Sequence, residues 1–142
     1  PIFSFLLSQL FQKSFNVISF FFNLSNNKHK SSADTKDEHI HILNPLFKKL
    51  NAQLLVRVKA NMNPRSVDKE LGVLHRDVKY DCNTAIYYVN SNNGYTEFED
   101  GTIVESVANR MAVFSSSILH RGVTQTDTKV RCVINCNWFN AL

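Results

Sequence analysis

The sequence predicts a mainly-β fold, a sandwich or barrel behind one or two N-terminal helices, and three observations point to it. From about Leu54 onward the chain breaks into short runs rich in β-branched and aromatic residues, several of them alternating apolar with polar. Turn signals separate these runs, and all four glycines (Gly72, Gly94, Gly101 and Gly122) fall at such turns. No segment between the runs carries the apolar period of a helix.

The helices belong to the first fifty residues. Phe3, Leu6, Leu7, Leu10 and Phe11 follow helical spacing, while the run Phe20, Phe21 and Phe22 reads as a strand or a second buried turn. This Phe-rich start resembles a membrane or signal segment only superficially. Gln9, Gln12, Lys13 and Asn16 interrupt it and no basic stretch precedes it, so it reads as an amphipathic or buried packing segment with no stable membrane span. Asn26 to Glu38 is polar without apolar periodicity and reads as a surface loop. His39 and His41 would share one face of a strand, a second candidate metal pair, but no third ligand follows at a recognisable spacing. A short helix runs to Leu50, with Asn44 as its cap, Pro45 in its first position, and Leu46, Phe47 and Leu50 forming its apolar stripe.

The strands follow in order. Leu54 to Ala60 sets Leu54, Val56, Val58 and Ala60 against Leu55, Arg57 and Lys59, one apolar face and one polar. After a charged loop, Val73 to Asp77 is a strand end. Thr84 to Asn90 has the composition of a central strand. Tyr95 to Phe98 and Ile103 to Val107 flank Asp100-Gly101, the signature of a hairpin with a type I′ turn. Arg110 to Phe114 and a final alternating strand from Val130 to Trp138 complete the set.

At 142 residues the chain has the size of one domain. Residues 1–40 are read as a packing segment and loop, and residues 43–139 as the β core. The chain opens on Pro1 and not Met, which leaves open that it is a fragment. The net charge of +4 is spread along the sequence, which speaks against nucleic acid as a partner. Cys82, Cys132 and Cys136 are odd in number and lack a C-x-x-C spacing, so they read as free thiols in a reducing, cytoplasmic compartment.

The chemistry concentrates between His75 and Arg131. His75 and Asp77 stand two residues apart, so on a strand both side chains leave one face. His120 arrives after enough chain for a hairpin and a returning strand. Two imidazoles and a carboxylate on one side of a metal leave coordination positions open, the donor set of non-haem Fe(II) oxygenases.

His75-Arg76-Asp77, the strand Thr84 to Asn90, His120, and Arg131 within a strand ending Asn137-Trp138-Phe139 together resemble the Fe(II)- and 2-oxoglutarate-dependent dioxygenases. The most similar group is the prolyl-4-hydroxylase-like branch, including versions carried by phages and aquatic viruses. The resemblance spans roughly Leu43 to Phe139, and the first forty residues lie outside it. It implies a double-stranded β-helix, the jelly-roll or cupin-like fold, in agreement with the strand reading. It makes His75, Asp77 and His120 the iron ligands, Arg131 the anchor for the far carboxylate of 2-oxoglutarate, and Tyr88 a partner at that carboxylate, with Tyr87 turned away as packing. The implied reaction consumes O2 and 2-oxoglutarate and hydroxylates an unactivated C–H bond in a protein, peptide or small-molecule substrate, such as a peptidyl proline or another amino-acid side chain. Departures from the pattern are Arg76 between the first two ligands, which alternation turns away from the metal, and Asn61 and Asn63 where relatives present a tyrosine.

Two other readings stay open on sequence alone. An inactive jelly-roll binding module or virion-associated structural domain would keep the fold without turnover, but has no need of four polar site residues. A cupin-like isomerase or hydrolase with another metal would have no use for Arg131.

Overall fold

A computed structural model of the chain describes residues 20–23 and 37–140. The helix read from Phe3 to Phe11 and most of the loop read from Asn26 to Glu38 lie outside the described residues. In order, the elements are β1 (Phe20–Asn23), a 3-10 helix (Asp37–Leu43), α1 (Asn44–Leu50), β2 (Leu54–Pro64), β3 (Asn83–Tyr88), β4 (Tyr95–Phe98), β5 (Ile103–Glu105), β6 (Met111–Ser115), β7 (His120–Val123) and β8 (Val130–Phe139).

These strands form two antiparallel sheets, one ordered β1-β2-β8-β3-β6 and the other β5-β4-β7. The segment before β3 extends the second sheet. Bridges Leu71↔Val123 and His75↔His120 lay it antiparallel beside β7, with His75 N–H donating to His120 O at 3.0 Å and His120 N–H to His75 O at 3.1 Å. Each sheet thus includes pairings between strands distant in sequence, β2 with β8 in one and β4 with β7 in the other, the arrangement of a jelly-roll, and the mainly-β expectation holds.

Two apolar layers follow from strand alternation. On the outer face of the larger sheet, Val58 of β2, Ala85 and Tyr87 of β3, and Ile134, Cys136 and Trp138 of β8 pack with Leu43, Leu46 and Phe47 of the two helices. Burying each large aliphatic or aromatic side chain there contributes roughly 1.5–3 kcal/mol. On the inner face a smaller cluster of Ile86, Tyr88 and Val133 is joined by Val104, Ala112 and Phe114. The inner face of β8 is otherwise polar: Arg131, Asn135 and Asn137 are buried there, alternating with the apolar residues of its outer face. A central strand of this kind lines a site, because buried polar groups need partners.

Five local expectations are corrected. In β2 the pairing with β8 shifts register between Leu55 and Arg57. This irregularity switches the phase of the strand, so Leu55 packs with Val58 on the core side while Leu54 is left 61% exposed. His39 and His41 lie in the 3-10 helix and not on a strand, and the His41 side chain is exposed. Because the chain enters α1 already coiled, Leu43 takes the cap position with no side-chain cap hydrogen bond, and Asn44 is inside the helix. The Asp100-Gly101 turn is not type I′, since only Gly101 has positive φ, at 84°. Gly101 N–H donates to Phe98 O and Phe98 N–H to Thr102 O, both at 2.9 Å, and Asp100 Oδ1 accepts from Thr102 N–H at 2.8 Å. This is a three-residue loop closed by a left-handed glycine, which also produces a tight hairpin. Val73 to Asp77, finally, makes bridges and not a regular strand, since it has β7 alone as a neighbour among the described residues and its side chains through Arg76 are exposed.

Candidate metal centre

His75, Asp77 and His120 converge at the mouth of the space between the sheets. The cross-strand bridge between His75 and His120 sets their rings 4.9 Å apart, and Asp77 follows on the same segment. His75 Nε2 is 3.8 Å from Asp77 Oδ1, His120 Nε2 is 4.0 Å from Asp77 Oδ2, and the three donor atoms all lie within 4.8 Å of one another. Two donors each about 2.1 Å from one ion are about 3.0 Å apart at right angles and about 4.2 Å apart when opposed, and both His–Asp separations fall in that range. Among the described residues this is the one group of three or more such side chains able to hold a metal ion.

Both rings are oriented for that task. His75 Nδ1 lies 2.9 Å from Val73 O and His120 Nδ1 lies 3.4 Å from Ile118 O. A carbonyl only accepts, so Nδ1 carries the proton on each ring and Nε2 keeps its lone pair. His120 is buried, with Phe114 edge-on at 4.9 Å, and its Nε2 has no hydrogen-bond partner. A buried polar atom without a partner is rare, and a lone pair aimed at a carboxylate and a second imidazole fits a metal. Burial pulls the His120 pKa below its ordinary value, helped by nearby His75 and opposed by Asp77 and the Ile118 carbonyl. Burial thus favours the neutral ring, the form that binds a cation.

Asp77 is held from both sides. Arg57 Nη1 lies 3.2 Å from Oδ1, and Asn135 Nδ2 donates to Oδ2 at 3.1 Å. Asn135 is itself oriented by Asn61, whose Nδ2 is 3.4 Å from Asn135 Oδ1. Sequence reasoning missed Arg57 and Asn135. The signal was available in the polar face of β2 (Arg57, Lys59, Asn61, Asn63) and in the buried polar alternation of β8.

Arg131 lies deeper in the same cleft, which has a volume of about 410 Å³. Its Nε donates to Ser106 Oγ at 3.0 Å, and Nη2 to Tyr95 O at 3.3 Å and Thr96 Oγ1 at 3.4 Å. Gly94 makes room for this guanidinium: a Cβ there would meet Val123 O at 2.8 Å and Arg131 Cδ at 3.0 Å. Burial pulls the Arg131 pKa below its ordinary value, and among the described residues no carboxylate pairs with it. Tyr88 lies under Arg131, which sits 5.8 Å from its ring centre, and donates its hydroxyl to Thr96 Oγ1 at 2.8 Å. It is fully buried and is not among the cleft-lining residues, whereas Arg76 and Asn61 are. Tyr87 packs on the outer face, its hydroxyl donating to Asn109 Oδ1 at 3.1 Å. The three cysteines are free thiols, and no helix among the described residues is long and apolar enough to cross a membrane.

No family model and no curated protein matches the sequence. Solved structures do match the fold. The viral collagen prolyl hydroxylase of Paramecium bursaria Chlorella virus-1, in its complex with 2OG, superposes with a TM-score of 0.70 at 13% identity over 99% of this chain and 90% of that one. A truncated form of the same viral enzyme gives 0.61 at 13% identity, over 99% of this chain and 85% of that one. A Pseudomonas putida prolyl-4-hydroxylase gives 0.56 at 13% identity, over 99% of this chain and 87% of that one. At this identity the likeness is one of fold, and this chain has the jelly-roll architecture of those enzymes.

Proposed function

We propose that the protein is an Fe(II)- and 2-oxoglutarate-dependent dioxygenase that hydroxylates an unactivated C–H bond of an amino-acid side chain, with a peptidyl proline as one candidate. The observation that carries this reading is a buried, carboxylate-free arginine in the same cleft as two imidazoles and a carboxylate. The fold likeness to prolyl hydroxylases supports it.

In this reading His75, Asp77 and His120 hold the iron. The bound metal and co-substrate supply the oxidation, in which one atom of O2 enters the substrate and the other enters succinate as CO2 is lost. The chain's own residues do the rest. Arg131 receives the far carboxylate of 2-oxoglutarate, compensating a charge that is costly to bury alone. Asn135 and Arg57 fix the plane of the Asp77 carboxylate. Phe114 and Ile86 keep the inner wall apolar and limit water. Tyr88 supports Thr96 and the guanidinium from behind.

The test is anaerobic reconstitution. Protein loaded with Fe(II) should change its visible absorption when 2-oxoglutarate is added, and should release succinate once oxygen is admitted. Iron binding with no response to 2-oxoglutarate overturns the reading. A second reading, a metal-free binding module, draws on the 3.2 Å contact that gives Asp77 a cationic partner in Arg57. It predicts no measurable affinity for Fe(II) or Mn(II).

A further inference from the structure

β7 brings two positions into the cleft, and only one of them carries a side chain. His120 and Gly122 both line it and leave the same face of the strand, about 6.7 Å apart. His120 belongs to the proposed metal centre. Gly122 lies towards the anchor: it pairs with Thr96 of β4, whose Oγ1 accepts from Arg131 Nη2 at 3.4 Å. The path from the metal donors to the guanidinium thus follows β7 and passes over a residue with no side chain.

Arg131 has one nitrogen left to offer. Its Nε is taken by Ser106 Oγ, and Nη2 by Tyr95 O and Thr96 Oγ1, so that Nη1 has no hydrogen-bond partner among the described residues. Nη1 is also the nitrogen that faces Gly122. A Cβ built on that glycine would lie 3.6 Å from it, with no other heavy atom beyond the chain neighbours within 4 Å.

The fold itself gives no reason for a glycine at this position. Gly101 is the one glycine with positive φ among the described residues, so the backbone at Gly122 is one that any residue adopts. The close approach of the segment before β3 to β7 needs a glycine at 72 and not at 122, since a Cβ on Gly72 would meet Gly122 O at 2.9 Å. Gly94 is likewise fixed by backbone, at 2.8 Å from Val123 O. A glycine inside a strand weakens it, having more backbone entropy to lose and nothing to pack. The reason for Gly122 therefore lies in the cleft. A carboxylate oxygen accepting from a guanidinium stands about 2.8 Å from the nitrogen. A methyl group held 3.6 Å from the same nitrogen fills volume that the carboxylate and the carbon beside it need.

We propose that Gly122 is a specificity-determining residue: its missing side chain opens a lane along β7 in which an unbranched 2-oxo diacid reaches from the metal donors to Arg131 Nη1. A side chain at this position shortens the cleft and leaves room only for an acid held at the metal end. This inference rests on the function proposed above.

The test is calorimetry on the full chain loaded with Mn(II), titrated with 2-oxoglutarate and, separately, with oxalate. Oxalate chelates a metal through its two carboxylates and has no third group for Arg131. Gly122→Ala should weaken 2-oxoglutarate at least about tenfold, the lower part of what overfilling a packed site costs. Gly122→Val should weaken it further. The affinities for oxalate and for Mn(II) should be unchanged in Gly122→Ala. Added to Arg131→Met, Gly122→Ala should cost 2-oxoglutarate little more, because both changes act on the same carboxylate. The urea midpoint of Gly122→Ala should hold or rise, since alanine restricts the unfolded chain more than glycine does. Equal 2-oxoglutarate affinity in Gly122→Ala and the unsubstituted protein would overturn the proposal. So would a parallel loss of oxalate affinity or a lowered urea midpoint, either of which would make the glycine structural. Failure of the unsubstituted protein to bind Mn(II) or 2-oxoglutarate breaks the proposed function and this inference with it, whereas normal loading that Gly122→Ala leaves intact breaks the lane alone.

Discussion

Asn135 of β8 donates from Nδ2 to Oδ2 of Asp77 at 3.1 Å, which places the orientation of a proposed metal ligand under the control of an amide on the central strand of the larger sheet. Asn135→Leu conserves volume and removes the donor. Groups that orient metal ligands in this way typically change metal affinity by about 10–100-fold when lost. Mn(II) affinity, read by calorimetry or paramagnetic resonance, is expected to fall within that range. Asn61→Ala reaches Asp77 only through Asn135 and should give a smaller loss. Unchanged affinity in Asn135→Leu would show that Asp77 is held by Arg57 alone.

Arg131 separates co-substrate binding from metal binding. Arg131→Met removes the guanidinium from a site where hydrogen bonds to a charged group contribute about 1.5–3 kcal/mol, so the Kd for 2-oxoglutarate is expected to rise on the order of 10–100-fold. Mn(II) affinity should hold, because the metal donors come from other residues. Arg131→Lys keeps the charge but loses the planar fork and should fall between the two. Retained 2-oxoglutarate affinity in Arg131→Met would show that the anchor lies elsewhere.

The buried thiols give a prediction independent of the metal. Burial pushes Cys132 up to about 11 and Cys136 up to about 12, and it raises the less buried Cys82 as well. At pH 8 a thiol reagent should modify Cys82 first, and the other two only as the protein unfolds. The linkage has a definite sign. Thiols whose folded pKa lies above the unfolded value near 9 contribute fully below pH 9, and that contribution is lost as pH rises towards 11 and 12. Urea midpoints should fall through that alkaline window, and less so in Cys132→Ser with Cys136→Ser if those variants fold.

Much of the fold and of the candidate site was legible in the sequence, because strand alternation and turn residues are local signals. The pairing of His75 with His120 was legible only as a spacing. Their cross-strand bridge depends on the segment before β3 returning to the edge of the second sheet, which no local pattern encodes. The register shift after Leu55 was invisible, since one unpaired residue on an edge-like stretch leaves the apolar count unchanged while inverting which side of it is buried. The Asp100-Gly101 turn was recognised as a hairpin but assigned the wrong type, because a glycine permits several left-handed turns and the neighbouring Asp100 hydrogen bond to Thr102 selects among them. Arg57 and Asn135 went unremarked because a polar strand face looks the same whether it meets water or lines a cleft.

Tyr88 tests the boundary between what the resemblance implies and what the geometry favours. The resemblance puts its hydroxyl on the co-substrate carboxylate, yet that hydroxyl donates to Thr96 Oγ1 at 2.8 Å in a position fully closed to solvent. Tyr88→Phe removes one buried hydrogen bond and keeps the ring under Arg131. Stability measured by urea unfolding is expected to drop by about 0.5–1.5 kcal/mol. The 2-oxoglutarate affinity should change little, because Thr96 and Ser106 still hold the guanidinium. A loss of affinity comparable to that of Arg131→Met, with stability unchanged, would instead place the hydroxyl at the carboxylate and require Thr96 to release it when 2-oxoglutarate binds.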